Sequence, residues 1–265
     1  MKILFIGDVV GKAGRRAINQ VVPALRVEYA PDLVIANIEN LAHGKGVTVK
    51  TFAEIKEAGI DFYTGGNHSL EKPDANELFN DPAVPIIRPA NFIGAVAGRG
   101  YQTISVGSRT VLIVNLVGQV FVADGNFRNP FKEIDLILGQ FNQDTLAAII
   151  VDFHAEVTSE KRALAHYLDG RVSAVLGTHT HIPTADAHVM PGGMAYVTDV
   201  GMVGIRDSVI GAGKESIIQS FLQEVKIPKT VPEEGLVDVG AVLIDINPQT
   251  RKATTITRVD RTVEV

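Results

Sequence analysis

Short apolar runs alternate along the chain with stretches of helical periodicity. Lys2 to Gly7, Asp32 to Ala36, Ile60 to Thr64, Leu146 to Phe153 and Val172 to Leu176 read as buried strands, each closing on glycine or polar residues. Ile18, Val21, Val22, Leu25 and Val27 fall on one face of a helix from Arg15 to Tyr29, with a kink expected at Pro23. Further helices are predicted over Val49 to Ala58, Ala75 to Phe79, Phe131 to Gln140 and Ser159 to Leu168. Tyr101 to Val106 and Thr110 to Leu116 flank Gly107-Ser108 as a hairpin, and Met194 to Thr198 forms another strand. Asp199 to Gly213 reads as a glycine-rich loop, and Val237 to Val265 as two extended runs around Asn247-Pro248. Such alternation predicts an α/β protein, and with no repeat, low-complexity tract or linker the expectation is a single domain over residues 1–265.

Composition narrows the chemistry. Hydrophobic residues make up 46% of the 265 residues, enough for a substantial core. Thirty acidic against 25 basic residues give a net charge of −5, which argues against an extended nucleic-acid or anionic-membrane surface. Cysteine is absent, so a bound metal must be held by nitrogen and oxygen. The first apolar run meets Asp8 too early for a signal peptide, and no run is long enough to span a bilayer. A cytoplasmic protein with no membrane association is expected.

The candidate chemistry lies where strands end. Asp8 follows the first run, Glu39-Asn40 the second, Gly65-Gly66-Asn67-His68 the third, His154 the fourth, and Gly177-Thr178-His179-Thr180-His181 the fifth. Each alone is explained by helix capping or a solvated turn. Together they are metal-competent side chains delivered by successive strands to one sheet edge, where α/β proteins place their sites. Imidazoles mixed with carboxylates and amide oxygens suit manganese, iron or zinc better than calcium. His43 lacks such company and reads as solvated, and His166, within a helix, reads as a surface or packing residue. The Gly11 to Gly14 loop has neither a P-loop ending nor a dinucleotide fingerprint.

The motifs Gly7 to Gly11, Glu39-Asn40, Gly66-Asn67-His68, His154, Gly177 to His181, Thr184 to Asp186, Thr198 to Met202 and Asp207 to Gly211 resemble the YmdB-like branch of the calcineurin-like metallophosphoesterases. That resemblance implies a four-layer α/β/β/α sandwich of two mixed sheets flanked by helices. It also implies two transition-metal ions per chain, with iron or manganese favoured and zinc an alternative. One ion would take Asp8, Glu39, Asn40 and His181, and the other Glu39, Asn67, His154 and His179. Val10 stands where the larger superfamily has a histidine, and Asn40 answers for the missing ligand. Glu39 replaces a bridging aspartate.

The implied activity is hydrolysis of phosphodiesters, with 2',3'- or 3',5'-cyclic nucleotides as the expected substrates. Two ions roughly 3.5–4 Å apart would hold a bridging hydroxide that attacks phosphorus in line. His68, beside Asn67, would be the catalytic residue that protonates the leaving oxygen. Glu156 and Asp186 are candidates to orient ligand imidazoles. The alternatives are a phosphomonoesterase or protein phosphatase on the same site, and a regulatory protein that binds a phosphate ligand without turnover. Phe121 and Phe127, in the Gly118 to Pro130 loop, are candidate homo-oligomer contacts.

Overall fold

The computed structural model describes residues 1–122 and 127–265. In chain order, β1 (Lys2–Ile6), β2 (Asp8–Val9), α1 (Gly11–Tyr29), β3 (Leu33–Asn37), α2 (Val49–Ala53), β4 (Phe62–Thr64) and α3 (Ala75–Asn80) come first. They are followed by β5 (Tyr101–Val106), β6 (Arg109–Val117), α4 (Pro130–Leu138), β7 (Ala148–His154), α5 (Thr158–Leu168) and β8 (Ala174–Thr178). Then come β9 (His188–Val189), β10 (Ala195–Val197), β11 (Met202–Ile205), α6 (Lys214–Gln223), β12 (Leu236–Val239), β13 (Ala241–Ile246), β14 (Ala253–Arg258) and β15 (Arg261–Glu264).

Two large mixed sheets pack face to face. One is ordered β14-β13-β1-β3-β4 and the other β5-β6-β7-β8-β10-β9. Strand parity dictates the layers. In β1, Ile3 and Phe5 point between the sheets, while Leu4 and Ile6 point to the layer containing α1. In β7, Ala148 and Ile150 point between the sheets, while Ile149, Val151 and Phe153 pack with Ile134 of α4 and Leu164 of α5. Strands buried on both faces explain why these runs are continuously apolar. Each fully buried Leu, Ile or Phe contributes about 1.5–3 kcal/mol. The expected α/β/β/α sandwich is present.

A third, four-stranded sheet ordered β15-β12-β11-β2 adds to it. Its face of Val9, Val203, Ile205, Val237 and Val239 packs in the same core as Ala13, Ala17 and Ile18 of α1. This sheet corrects the reading of Asp199 to Gly213 as only a loop, because Met202–Ile205 is a strand within it. The tail likewise makes four strands rather than two extended runs. Helix α2 stops at Ala53, short of the expected Ala58, while α1 begins earlier than expected and contains Pro23. Part of the 118–130 loop, residues 123–126, lies outside the described residues. On its described flanks, Phe121 is exposed, but Phe127 is buried with its ring 5.2 Å from that of Phe92 and is not available as a surface contact. Among the described residues, no helix is long and apolar enough to cross a membrane.

Candidate metal centre

Parallel pairing of β1 with β3, β3 with β4, β6 with β7 and β7 with β8 points these C-terminal ends the same way within each sheet. The two sheets then meet at a shared polar mouth. His154 is the last residue of β7 and continues the inter-sheet face after Ile150 and Asp152. His179 follows directly on β8, and its backbone N–H donates to Asp8 Oδ2 across the sheets at 3.0 Å. Asp8, Glu39, Asn40 and His154 are all buried, and His181 nearly so.

The tightest cluster is Glu39, His154 and His179, whose donor atoms all lie within 4.8 Å of one another. His154 Nε2 stands 2.9 Å from His179 Nδ1, 3.2 Å from Glu39 Oε1 and 3.2 Å from Asn67 Oδ1. Two imidazoles, a carboxylate and an amide oxygen converging at such separations fit a single transition-metal ion. A second group lies alongside. His181 Nε2 is 3.2 Å from Asn40 Oδ1, and its Nδ1 donates to the carbonyl of Ile210 at 2.8 Å, leaving Nε2 as the free donor atom. Asp8 Oδ1 is buried without a hydrogen-bond partner among the described residues. A buried carboxylate oxygen left bare is costly unless a cation meets it, so this donor set fits a metal as well.

Supporting contacts fix the ring orientations. Thr178 Oγ1 donates to Asp152 Oδ1 at 2.7 Å and therefore accepts from His154 Nδ1 at 2.9 Å, which turns the His154 Nε2 lone pair toward the cluster. Asp152 also accepts from Asn37 Nδ2 at 2.9 Å and from Thr64 Oγ1 at 2.5 Å. Burial nonetheless lifts its carboxyl to about 6, against the opposing pull of His154. Glu156 Oε2 lies 3.0 Å from His179 Nε2, as expected of an orienting carboxylate. Asp186 does not reach an imidazole ligand; it accepts from Thr184 and Thr198 and shapes the turn between them. His43 and His166 are both exposed, which makes His166 a surface rather than a packing residue.

The electrostatics divide the two histidines of the tight cluster. Burial opposes charge on His154, but Glu39 and Asp8 outweigh it and push the imidazole up to about 9. Burial pushes His179 down to about 3, with charged His154 adding to the effect. Burial raises Asp8, whereas Glu39 is held well below the usual carboxylate range by His154 and His68 despite its own burial. A positive charge is thus favoured in this pocket of buried acids, and a cation can take the place of the proton on His154.

His68 lies at the edge. Its backbone N–H donates to Glu39 Oε2 at 3.0 Å, its Nδ1 lies 2.6 Å from Glu71 Oε1, and its Nε2 lies 3.3 Å from Asn67 Nδ2. Gly66 allows this close approach. A Cβ there would stand 2.2 Å from Glu39 Oε2 and 2.5 Å from His154 Nε2. The histidine turn itself is strained, since His179 and His181 have φ of 100° and 67°. A buried ion pair braces it. Lys161 Nζ donates to Asp199 Oδ2 at 2.7 Å and to the Thr178 carbonyl at 2.8 Å, while Asp199 accepts from the Thr180 and Gly201 amides.

Sequence reading gave no role to Asp152, Lys161 or Asp199, although Asp199 lies within the Thr198 to Met202 motif. Two of them left a signal: Asp152 interrupts an apolar strand, and Lys161 shares a helical stripe with Leu164, Ala165 and Leu168. A charged residue at a core position needs a partner.

Comparisons with known proteins agree on the family. The family model described as YmdB-like protein matches residues 4–259. A Bacillus subtilis protein named 2',3'-cyclic-nucleotide 2'-phosphodiesterase is 42% identical over 260 residues, covering 98% of this chain and 96% of that protein. A crystal structure described as a novel phosphatase from Mycoplasma pneumoniae superposes with a TM-score of 0.93 at 36% identity, covering 100% of this chain and 94% of the other. Another, of a hypothetical protein from Thermus thermophilus, gives 0.90 at 38% identity over 100% of this chain and 99% of the other. With its fold, its converging strand ends and these matches, the chain belongs to the YmdB-like protein family.

Proposed function

We propose that the protein is a phosphodiesterase dependent on two metal ions, and that it hydrolyses the 2' ester bond of 2',3'-cyclic nucleotides to leave a nucleoside 3'-phosphate. The observation that carries this reading is the convergence of Glu39 Oε1, His154 Nε2 and His179 Nδ1 beside the bare Asp8 Oδ1. Glu39, Asn67, His154 and His179 would hold one ion, and Asp8, Glu39, Asn40 and His181 the other, with iron or manganese the favoured metals. When bound, such ions supply Lewis acidity toward the phosphate oxygens and activate water at neutral pH.

The chain's own groups do the rest. Thr178 and Glu156 keep the His154 and His179 rings turned to the centre. Glu71 holds the His68 ring through Nδ1, leaving Nε2 beside Asn67. In this arrangement Nε2 accepts from the Asn67 amide; once protonated, it can pass a proton to the departing 2' oxygen as water adds to phosphorus and the P–O2' bond breaks. The similarity to the Bacillus subtilis protein supports the choice of the cyclic diester.

The test is product analysis by metal-loaded protein offered 2',3'-cyclic nucleotides, 3',5'-cyclic nucleotides and p-nitrophenyl phosphate. Nucleoside 3'-phosphate as the main product is expected. Turnover of the monoester alone would make the protein a phosphomonoesterase, and tight nucleotide binding without turnover would make it a regulatory protein.

A further inference from the structure

The third sheet does more than complete the core. Cross-strand partners share a face, as do alternate residues along a strand. Asp8 pairs with Met202, Gly204 pairs with Asp238, and Asp238 pairs with Thr262. These residues therefore lie on one face, opposite the valines packed in the α1 core. That face starts at the metal centre with Asp8 and crosses three strand spacings, ~14 Å, to Thr262 on the outermost strand.

Above it lies a cavity of about 490 Å³ that His181 borders at one end and Thr262 lines with Asp238 and Arg206. Such a volume lies within the ~300–1,000 Å³ of small-molecule sites. Its sides carry Ile182 and Ile210, which are 55% and 47% exposed. Met202 lines the cavity, and its side chain lies over Gly204, where a Cβ would stand 2.9 Å from Met202 Sδ.

Charge decides what fits. Three pairs neutralise the charged residues at the cavity: Arg206 with Asp238 at 2.6 Å, Asp260 with Arg258 at 2.8 Å, and Arg261 with Glu28 at 2.6 Å. A second phosphate would find no unpaired cation among these. An uncharged group with an apolar face and polar edges is the better match.

We propose that this cavity is the subsite for the nucleoside of the substrate, with the base between Ile182 and Ile210 and the ribose toward His181. The assignment rests on the phosphodiesterase reading for its choice of ligand. It sets the base outside the metal centre, on the third sheet, and it predicts that a phosphate at the 5' position adds nothing to binding.

The test uses the full chain with Thr262→Trp, which fills the far end, and Ile182→Ala, which removes one wall. Two quantities are measured: binding of a nucleoside 3'-phosphate against inorganic phosphate by NMR titration, and turnover of a 2',3'-cyclic nucleotide against methyl p-nitrophenyl phosphate, a diester without a nucleoside. In Thr262→Trp the ratio of nucleotide to phosphate affinity is expected to fall about tenfold, and the ratio of the two kcat/KM values with it, through KM. Ile182→Ala should lower both ratios by roughly threefold. Unchanged ratios in both variants, or a nucleoside 3',5'-bisphosphate binding more than tenfold tighter than the 3'-phosphate, would overturn the proposal. If the wild-type protein cleaves neither diester, the phosphodiesterase reading falls separately, and the binding ratio alone decides the subsite.

Discussion

At the residue scale, neighbouring side chains at the centre are predicted to fail differently. If His68 is the proton donor proposed above, His68→Ala should retain metal while kcat falls about 10²–10⁴-fold. His154→Ala and Asp8→Ala should lose metal, as read by elemental analysis of protein prepared without chelators. A His68→Ala protein with wild-type kcat would remove His68 from the reaction. Asp186 gives a test of stability away from the centre. Burial works against its carboxylate, but hydrogen bonds from Thr198 and Thr184 prevail and hold it below the usual aspartate range. A carboxyl lowered on folding stabilises the folded state above its unfolded value of about 3.9 and loses that contribution as pH falls through the lowered value. Asp186→Asn should therefore be less stable than wild type at neutral pH, with the gap in urea midpoint closing below about pH 4. A gap of constant size across that range would show that the carboxylate charge is not what matters.

At the element scale, the ends of strands are held as firmly as their middles. Gly66 lies just beyond β4, and Gly66→Ala should abolish metal binding while leaving the helical circular dichroism intact, since the added carbon would meet Glu39 and His154. Calorimetric titration with manganese checks this. Lys161→Met leaves Asp199 buried without its cation and should cost about 3–5 kcal/mol by denaturant unfolding. Adding Asp199→Leu should restore much of that stability without restoring metal affinity, because the Thr180 and Gly201 amides still lack their acceptor. Recovery of both together would mean that the pair does not position the histidine turn.

These elements also show what the sequence made legible. Strands β1, β3, β7 and β8 announce themselves because both faces are buried, and their polar ends named the candidate ligands. Helix α6 lies outside the sequence reading although Ile217, Ile218, Phe221 and Leu222 recur at helical spacing; the stripe faces no core, and Phe221 and Leu222 are 80% and 78% exposed. The left-handed backbone at His179 and His181 leaves no mark in residue type, since glycine usually signals such positions.

At the scale of the whole molecule, the centre joins segments from both large sheets and from the small third one, so metal should stabilise the fold as a unit. Removing metal with a chelator should lower Tm, and the loss should be restored with added manganese in proportion to the logarithm of its free concentration. A Tm indifferent to metal would mean that the centre is not formed by the folded chain alone. The third sheet is the part of the architecture least visible beforehand. Strand β2 has only two residues and β11 contains a glycine, so neither offers enough alternation to be recognised alone.

The contact of His179 with Asp8 spans 171 residues of chain. At a synthesis rate of ~5–20 residues per second, Asp8 leaves the ribosome roughly 10–30 s before the histidine that closes the centre over it. A nascent chain interrupted before β8 would present Asp8, Glu39 and His154 without the His179 and His181 imidazoles, and such a fragment should hold transition metals far more weakly than the finished centre. The metal the enzyme finally carries is then chosen late, by the finished protein.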